Sequence, residues 1–168
     1  MKKQKILVIM HESLVPPDSI EGLAQQVVDE WRTEYDVVTH LRKAGHDVRT
    51  LGVYDSLTEL KTTVQEWKPN VVFNLLEEFD GLVNQDHHVV SFLELLKQPY
   101  TGCNPRGLML SRDKVLTKQA LVPHGIPMPG GRIVKSEELF AADPLPRPYV
   151  LKPVNEGSSV GVAIVTDT

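Results

Sequence analysis

The sequence predicts an α/β fold in two parts: a Rossmann-like parallel-sheet domain, then the opening segment of a differently built second domain. Three observations carry this. Ile6-Leu7-Val8-Ile9-Met10 is an unbroken apolar run, the pattern of a parallel strand covered on both faces. Strand-like and helix-like segments then alternate as βαβαβαβ to Thr101, which implies right-handed crossovers and ligands at the C-terminal ends of the strands. Beyond that point the alternation gives way to short strands punctuated by proline and glycine.

Element by element, the apolar run is followed by a loop, His11 to Ser19, that holds two prolines. Leu23, Val27, Trp31, Tyr35, Val38 and Leu41 recur at helical spacing, and Gly45 marks the stop. Asp47 to Leu51 is a second, weaker strand. Ser56 and Glu59 have capping-box spacing ahead of a helix carrying Leu57, Leu60, Val64 and Trp67 on one face, ended by Pro69. Val71 to Leu75 is a third strand, His87 to Leu96 a helix, and Pro99 to Thr101 a short fourth strand. In the second part, Asp113 to Val122 is a helix that ends near Pro123, His124 and Gly125, and Pro127 and Pro129 form a stiff connector. Arg132 to Val134, Tyr149 to Pro153 and Val160 to Val165 read as strands of another sheet, with a short helix from Ser136 to Ala142 between the first two. The domain boundary falls near residues 98–104, giving domains 1–100 and 101–168, the second of them unfinished.

The bulk numbers narrow the function classes. A chain of 168 residues holds one domain, or one and part of a second. A hydrophobic share of 41% and a charged share of 24% suit a soluble globular protein. The net charge of −4, with no basic block, points away from nucleic acid. Ile6–Met10 is too short for a signal-peptide core or a membrane span, so no membrane partner and a cytoplasmic location are expected. The lone Cys103 forms no intrachain disulfide, which fits a reducing compartment, and without an evident base partner it is a poor nucleophile.

The richest stretch for chemistry is Tyr149 to Val162, read as strand, small-residue loop, strand. Lys152 sits at the end of the first strand. Gly157 and Gly161 bracket two serines, so backbone N–H groups and hydroxyls can close on an anion. Alone, the loop reads equally well as an ordinary hairpin turn, and it lacks the Walker spacing. Lys114 alone reads as surface charge, and Asp113 as a residue favourable to a helix dipole. Glu77, Glu78 and Asp80 follow the third strand, where α/β sites lie; they suit a metal, an ammonium group or a solvated turn. Asn74 is a better candidate, a polar side chain closing an apolar strand, and His11 and Glu12 end the first strand at the same sheet edge. His87 and His88 are adjacent and diverge on a helix, so no metal site is expected within the chain.

Taken in order, several blocks resemble one family. They are Val72-Phe73-Asn74-Leu75-Leu76, Asp80-Gly81, Pro99-Tyr100-Thr101-Gly102, Asp113 to Lys118, Gly125-Ile126-Pro127-Met128-Pro129, and Leu151 to Val162. This set resembles the ATP-grasp superfamily in its D-alanine–D-alanine ligase branch, from about Ile6 to the end of the chain. The resemblance implies a preATP-grasp Rossmann-like substrate domain and the first part of an ATP-grasp central domain. It implies a ligase that moves the γ-phosphate of ATP to a carboxylate and lets an amine attack the acyl phosphate, with magnesium on the triphosphate. By motif position, Lys114 and Lys152 contact the phosphates, and Glu156, Gly157, Ser158, Ser159, Val160 and Gly161 complete the nucleotide site. Ser158 and Glu12 take catalytic roles, and Glu12, Asn74, Glu77 and Asp80 face the small carboxylate and amine substrates. Family habit allows a homodimer.

Two segments depart from the family pattern. The loop after the first strand, His11 to Ser19, is not glycine-rich, and Glu77-Glu78-Phe79-Asp80-Gly81 is a shorter turn without the family's histidine. Both face the amino-acid substrate, so an altered substrate pocket is expected. The family's adenine pocket, acyl-phosphate arginine and magnesium ligands belong beyond Thr168, so these residues alone are expected to be an inactive fragment. The alternative reading is a nucleotide-binding regulatory or scaffold module without ligase chemistry.

Overall fold

The computed structural model describes residues 2–135, 143–157 and 159–167. They fall into two compact units, Met1–Leu108 and Met109–Thr168.

The first unit is built around β1 (Lys5–His11). It is the middle strand of a three-stranded sheet, with β2 (Asp47–Val53) on one side and β3 (Val71–Asn74) on the other, both parallel to it. Ile9 sits in register with Leu51 on β2 and Asn74 on β3. Alternation along β1 sends Leu7 and Ile9 into one core and Ile6, Val8 and Met10 into another on the opposite face. The first core is closed by Leu60, Val64 and Trp67 of α3 (Thr58–Trp67) and by Val89 and Leu93 of α4 (Asp86–Leu95). The second is closed by Val38 of α2 (Arg32–Lys43). The apolar run is thus covered on both faces, as its composition required, and the α/β class holds.

Several elements differ from expectation. The first long helix breaks at Trp31 (φ −131°, ψ 27°) into α1 (Gln25–Glu30) and α2; Trp31 is buried, its ring 5.9 Å from that of Tyr35. The expected stop is in place: Gly45 has φ 86°, and its N–H donates to Arg42 O at 2.9 Å. At α3, the Ser56 Oγ accepts the Thr58 N–H at 3.3 Å, and the helix ends on Lys68 in the left-handed region just before Pro69. The fourth strand is reduced to one bridge between Val72 and Tyr100, with Val72 N–H donating to Pro99 O and Thr101 N–H to Val72 O. Pro99 has no N–H with which to lengthen the ladder. The Gln98 side chain, buried, donates to Pro69 O and Pro99 O and ties the two loops together.

A helix not expected from periodicity, α5 (Pro105–Arg112), runs through the point where the units divide. Its start was signalled by Asn104-Pro105: the Asn104 Oδ1 accepts the Gly107 N–H at 2.8 Å, and proline favours a first helical turn.

The second unit contains α6 (Lys114–Leu121) and an antiparallel pair, β4 (Tyr149–Leu151) and β5 (Ala163–Val165). Both strands are shorter than predicted, because Pro153 cannot donate and Gly161 (φ 67°) turns the chain. The strand expected at Arg132 to Val134 is not formed; Pro127, Pro129, Gly130 and Gly131 precede it, and no described strand pairs with it. The helix expected from Ser136 to Ala142 lies outside the described residues. Ahead of β4, Asp143 accepts from Arg147 at 2.7 Å and from the Tyr149 hydroxyl at 2.8 Å. The Arg147 guanidinium, then the Tyr149 hydroxyl, hold the Asp143 carboxyl below its ordinary range.

Candidate functional site

The residues singled out in the sequence divide between the two units, and each group is built from its own strand ends. In the first unit the C-terminal edge of the parallel sheet carries Glu12, Asn74, Glu77 and Asp80. Glu12 opens a short turn, Glu12–Leu14, directly after β1, and is exposed. This turn lies on β2 because position 52 has no side chain. A Cβ on Gly52 would come within 2.8 Å of the Glu12 Cα and 3.0 Å of a Val15 methyl. Gly52→Ala is therefore expected to cost about 1–3 kcal/mol of stability, the usual price of overpacking. A denaturant melt that matches wild type would show that the turn gives way freely. Beside Glu12 and Gly52 a cavity of about 430 Å³ opens, lined also by Tyr54, Asp55, Ser56 and Thr58.

The turn after β3 is pinned twice. The Asp80 N–H donates to Tyr54 O at 2.9 Å, with Asp80 and Gly81 both at positive φ, and Glu78 lies 3.2 Å from His11 Nε2. The other ring nitrogen of His11 accepts the Ser13 N–H at 3.2 Å and is 2.7 Å from the Ser13 hydroxyl. That leaves the imidazole proton on Nε2, donated to the Glu78 carboxylate. The Tyr54 ring meets the imidazole edge-on at 5.3 Å. Asn74 spends its side chain locally: its Oδ1 accepts the Leu76 N–H at 3.1 Å, and its own N–H donates to Thr101 Oγ1. Glu77 and Asp80 are exposed at this edge. Glu78 thus holds a defined partner where sequence reasoning placed weight on Glu77 and Asp80. The link to His11 joins two strand ends far apart in sequence, which no local pattern reveals.

In the second unit the loop between β4 and β5 sits on the start of α6. The Asp113 carboxylate caps that helix, accepting from Val115 N–H at 2.8 Å and Leu116 N–H at 2.9 Å. With Asp113 so engaged, Lys114 reaches the loop twice: its N–H donates to Val154 O, and its ammonium donates to Val154 O at 3.2 Å and Glu156 O at 2.5 Å. Lys152 is exposed one residue past the end of β4. Ser159 (φ 63°) and Gly161 (φ 67°) lie in tight turns, with Val160 N–H bonded to Gly157 O and Val162 N–H to Ser159 O. Gly161 is required twice over, since a Cβ there would also strike Pro153 at 2.8 Å. Ser158 lies outside the described residues. Lys114 is thus tied to the loop, and Lys152 stands at its start. Among the described residues no three His, Cys, Asp or Glu side chains gather as a metal cluster. No described helix is long and apolar enough to cross a membrane.

No protein-family model matches the chain. Among curated proteins, a D-alanine–D-alanine ligase of Erythrobacter litoralis is 52% identical over 131 residues, covering 78% of this chain and 39% of its own length. One from Novosphingobium aromaticivorans is 50% identical over 130 residues, covering 77% of this chain and 40% of its own length. The chain resembles the N-terminal part of the D-alanine–D-alanine ligases. It spans about two fifths of the length of these ligases. The crystal structure of the D-alanine–D-alanine ligase of Bacillus anthracis superposes with a TM-score of 0.61 at 27% identity, covering 98% of this chain and 50% of that one. The same enzyme complexed with ATP gives a TM-score of 0.59 at 25% identity, with the same coverage. N5-carboxyaminoimidazole ribonucleotide synthetase from Thermotoga maritima, at 18% identity and a TM-score of 0.57, covers 98% of this chain and 41% of its own and agrees in fold. The ATP-grasp fold and the ligase resemblance expected from the ordered motifs are both borne out.

Proposed function

We propose that the protein to which this segment belongs is an ATP-dependent carboxylate–amine ligase that forms an amide through an acyl phosphate. The observation that carries the reading is the β4–β5 loop bound to Lys114 at the head of α6, beside Lys152, in a chain similar to D-alanine–D-alanine ligases. In this reading residues 1–100 are the substrate domain and 101–168 begin the ATP-grasp domain.

The chain's own residues then act as follows. Lys152 and Lys114 offset the charge of the triphosphate, and because Lys114 is held by loop carbonyls its charge is in place before nucleotide arrives. The loop from Glu156 to Gly161 presents backbone N–H groups to the phosphates and keeps water from the acyl phosphate, with Ser158 included on the strength of the resemblance. Glu12, Glu77 and Asp80 supply negative charge for the ammonium group of an amino-acid substrate, and Asn74 shapes the backbone between them. Magnesium would neutralise the triphosphate further when bound, but the described residues gather no cluster to hold it. The substrates proposed are ATP and small amino acids of the D-alanine kind, the location cytoplasmic, and the assembly a homodimer.

The test is ADP release by the full-length protein with D-alanine and a panel of other amino acids. Amino-acid-dependent release is expected. Tight ATP binding with no ADP from any pair would replace the ligase by a nucleotide-binding module.

A further inference from the structure

We propose that His11 is a positioning residue for the amino-acid substrate: through Glu78 it fixes the turn that carries Glu12 against the turn that carries Asp80. This rests on the ligase reading and adds to it a residue that sets where the substrate's ammonium group is received. The strands do not support that edge equally. The β1–β2 ladder runs to the end of β1, with His11 opposite Val53. The β1–β3 ladder stops at Ile9 and Asn74, followed by a bond from Leu75 N–H to Ile9 O. Past that point the imidazole continues the connection, with its Nε2 3.2 Å from the Glu78 carboxylate.

Two exposed carboxylates on separate turns serve one ammonium group only if the spacing of the turns is held before the substrate arrives. Each turn is anchored separately at the end of β2: Glu12 packs on Gly52, and the Asp80 N–H donates to Tyr54 O at 2.9 Å. His11 joins the two turns directly. Its Nδ1 meets the Ser13 N–H and hydroxyl inside the Glu12 turn, its Nε2 meets Glu78 in the other, and the Tyr54 ring stands edge-on at 5.3 Å. A rigid ring with an acceptor on one side and a donor on the other makes both bonds at little cost in rotamer freedom. The His11 and Glu78 side chains are 22% and 32% exposed, so their bond is sheltered from the solvent that leaves fully exposed pairs worth little.

The experiment measures kcat, KM for the amino acid and KM for ATP, from ADP release by the full-length protein. The amino acid is D-alanine, or the member of the panel that gives most ADP if D-alanine gives none. His11→Asn keeps an acceptor for the Ser13 N–H but is too short to reach Glu78, whereas His11→Gln places an amide donor near the position of Nε2. His11→Asn and Glu78→Ala are each expected to raise the amino-acid KM about tenfold, the loss of one hydrogen bond to a charged group, with the KM for ATP unchanged. The double variant should do no more harm than either single one, because both break the same link. His11→Gln should recover most of the loss. An unchanged amino-acid KM in His11→Asn overturns the proposal, as does a double variant whose effects multiply. A parallel rise in the KM for ATP also overturns it, since that marks a general structural role. Should His11→Asn fail to fold, an unchanged amino-acid KM in Glu78→Ala overturns it. Absence of amino-acid-dependent ADP release by wild type removes the ligase reading and this proposal with it, while the other overturning results leave that reading standing.

Discussion

Lys152→Met in the full-length protein is expected to lower ATP turnover by about 100- to 1,000-fold, the size of effect seen when one preorganised charge-stabilising donor is removed. Lys152 is exposed immediately after β4, and no core residue depends on it. The substitution should therefore leave the thermal melt where it was, so the loss belongs to chemistry and nucleotide binding. Turnover within a few-fold of wild type would remove Lys152 from the phosphate site. Lys114 is a poorer probe of the same idea. Its ammonium also ties Val154 and Glu156 to α6, so a substitution there disturbs the loop and the ligand together.

Leu60→Ala is expected to cost about 3–5 kcal/mol of stability, the range found for leucine truncation at sites that cannot collapse. Leu60 has no exposed surface and belongs to the cluster of Leu7, Ile9, Leu51, Val53 and Val72, so the methyl groups it loses leave a void between α3 and the sheet. For a unit of this size the melting temperature should fall by roughly 10 °C or more. A shift of only a degree or two would mean that α3 does not seal this face of the sheet.

How much of this was legible in the sequence depends on the range of each signal. The strand Ile6–Met10 was plain because both of its faces are buried, so every residue in the run is apolar. The start of α6 was readable because Asp113 caps it within three residues. The strand at Arg132–Val134 was misread because β-branched residues next to prolines and glycines satisfy a local pattern without any described strand to pair with. The site was legible only in outline. Lys114 alone looked like surface charge, since its bonds to Val154 and Glu156 cross some forty residues. The closeness of Gly52 to Glu12 and the pairing of His11 with Glu78 are likewise products of parallel pairing, which a one-dimensional pattern cannot express.

The central place of β1 has a consequence for the birth of the chain. β1 is synthesised before both of the strands that pair with it: the bond from Gln4 to His46 spans 42 residues, and that from Lys5 to Asn70 spans 65. Until Val71–Asn74 has left the ribosome, Ile6-Leu7-Val8-Ile9-Met10 has no strand on one flank and an incomplete helical cover. A nascent chain at that stage displays a β-prone, uncharged segment of the kind that chaperones bind and that aggregates form from. Lys2, Lys3 and Lys5 stand directly before it, placing like charges where two such segments would otherwise meet.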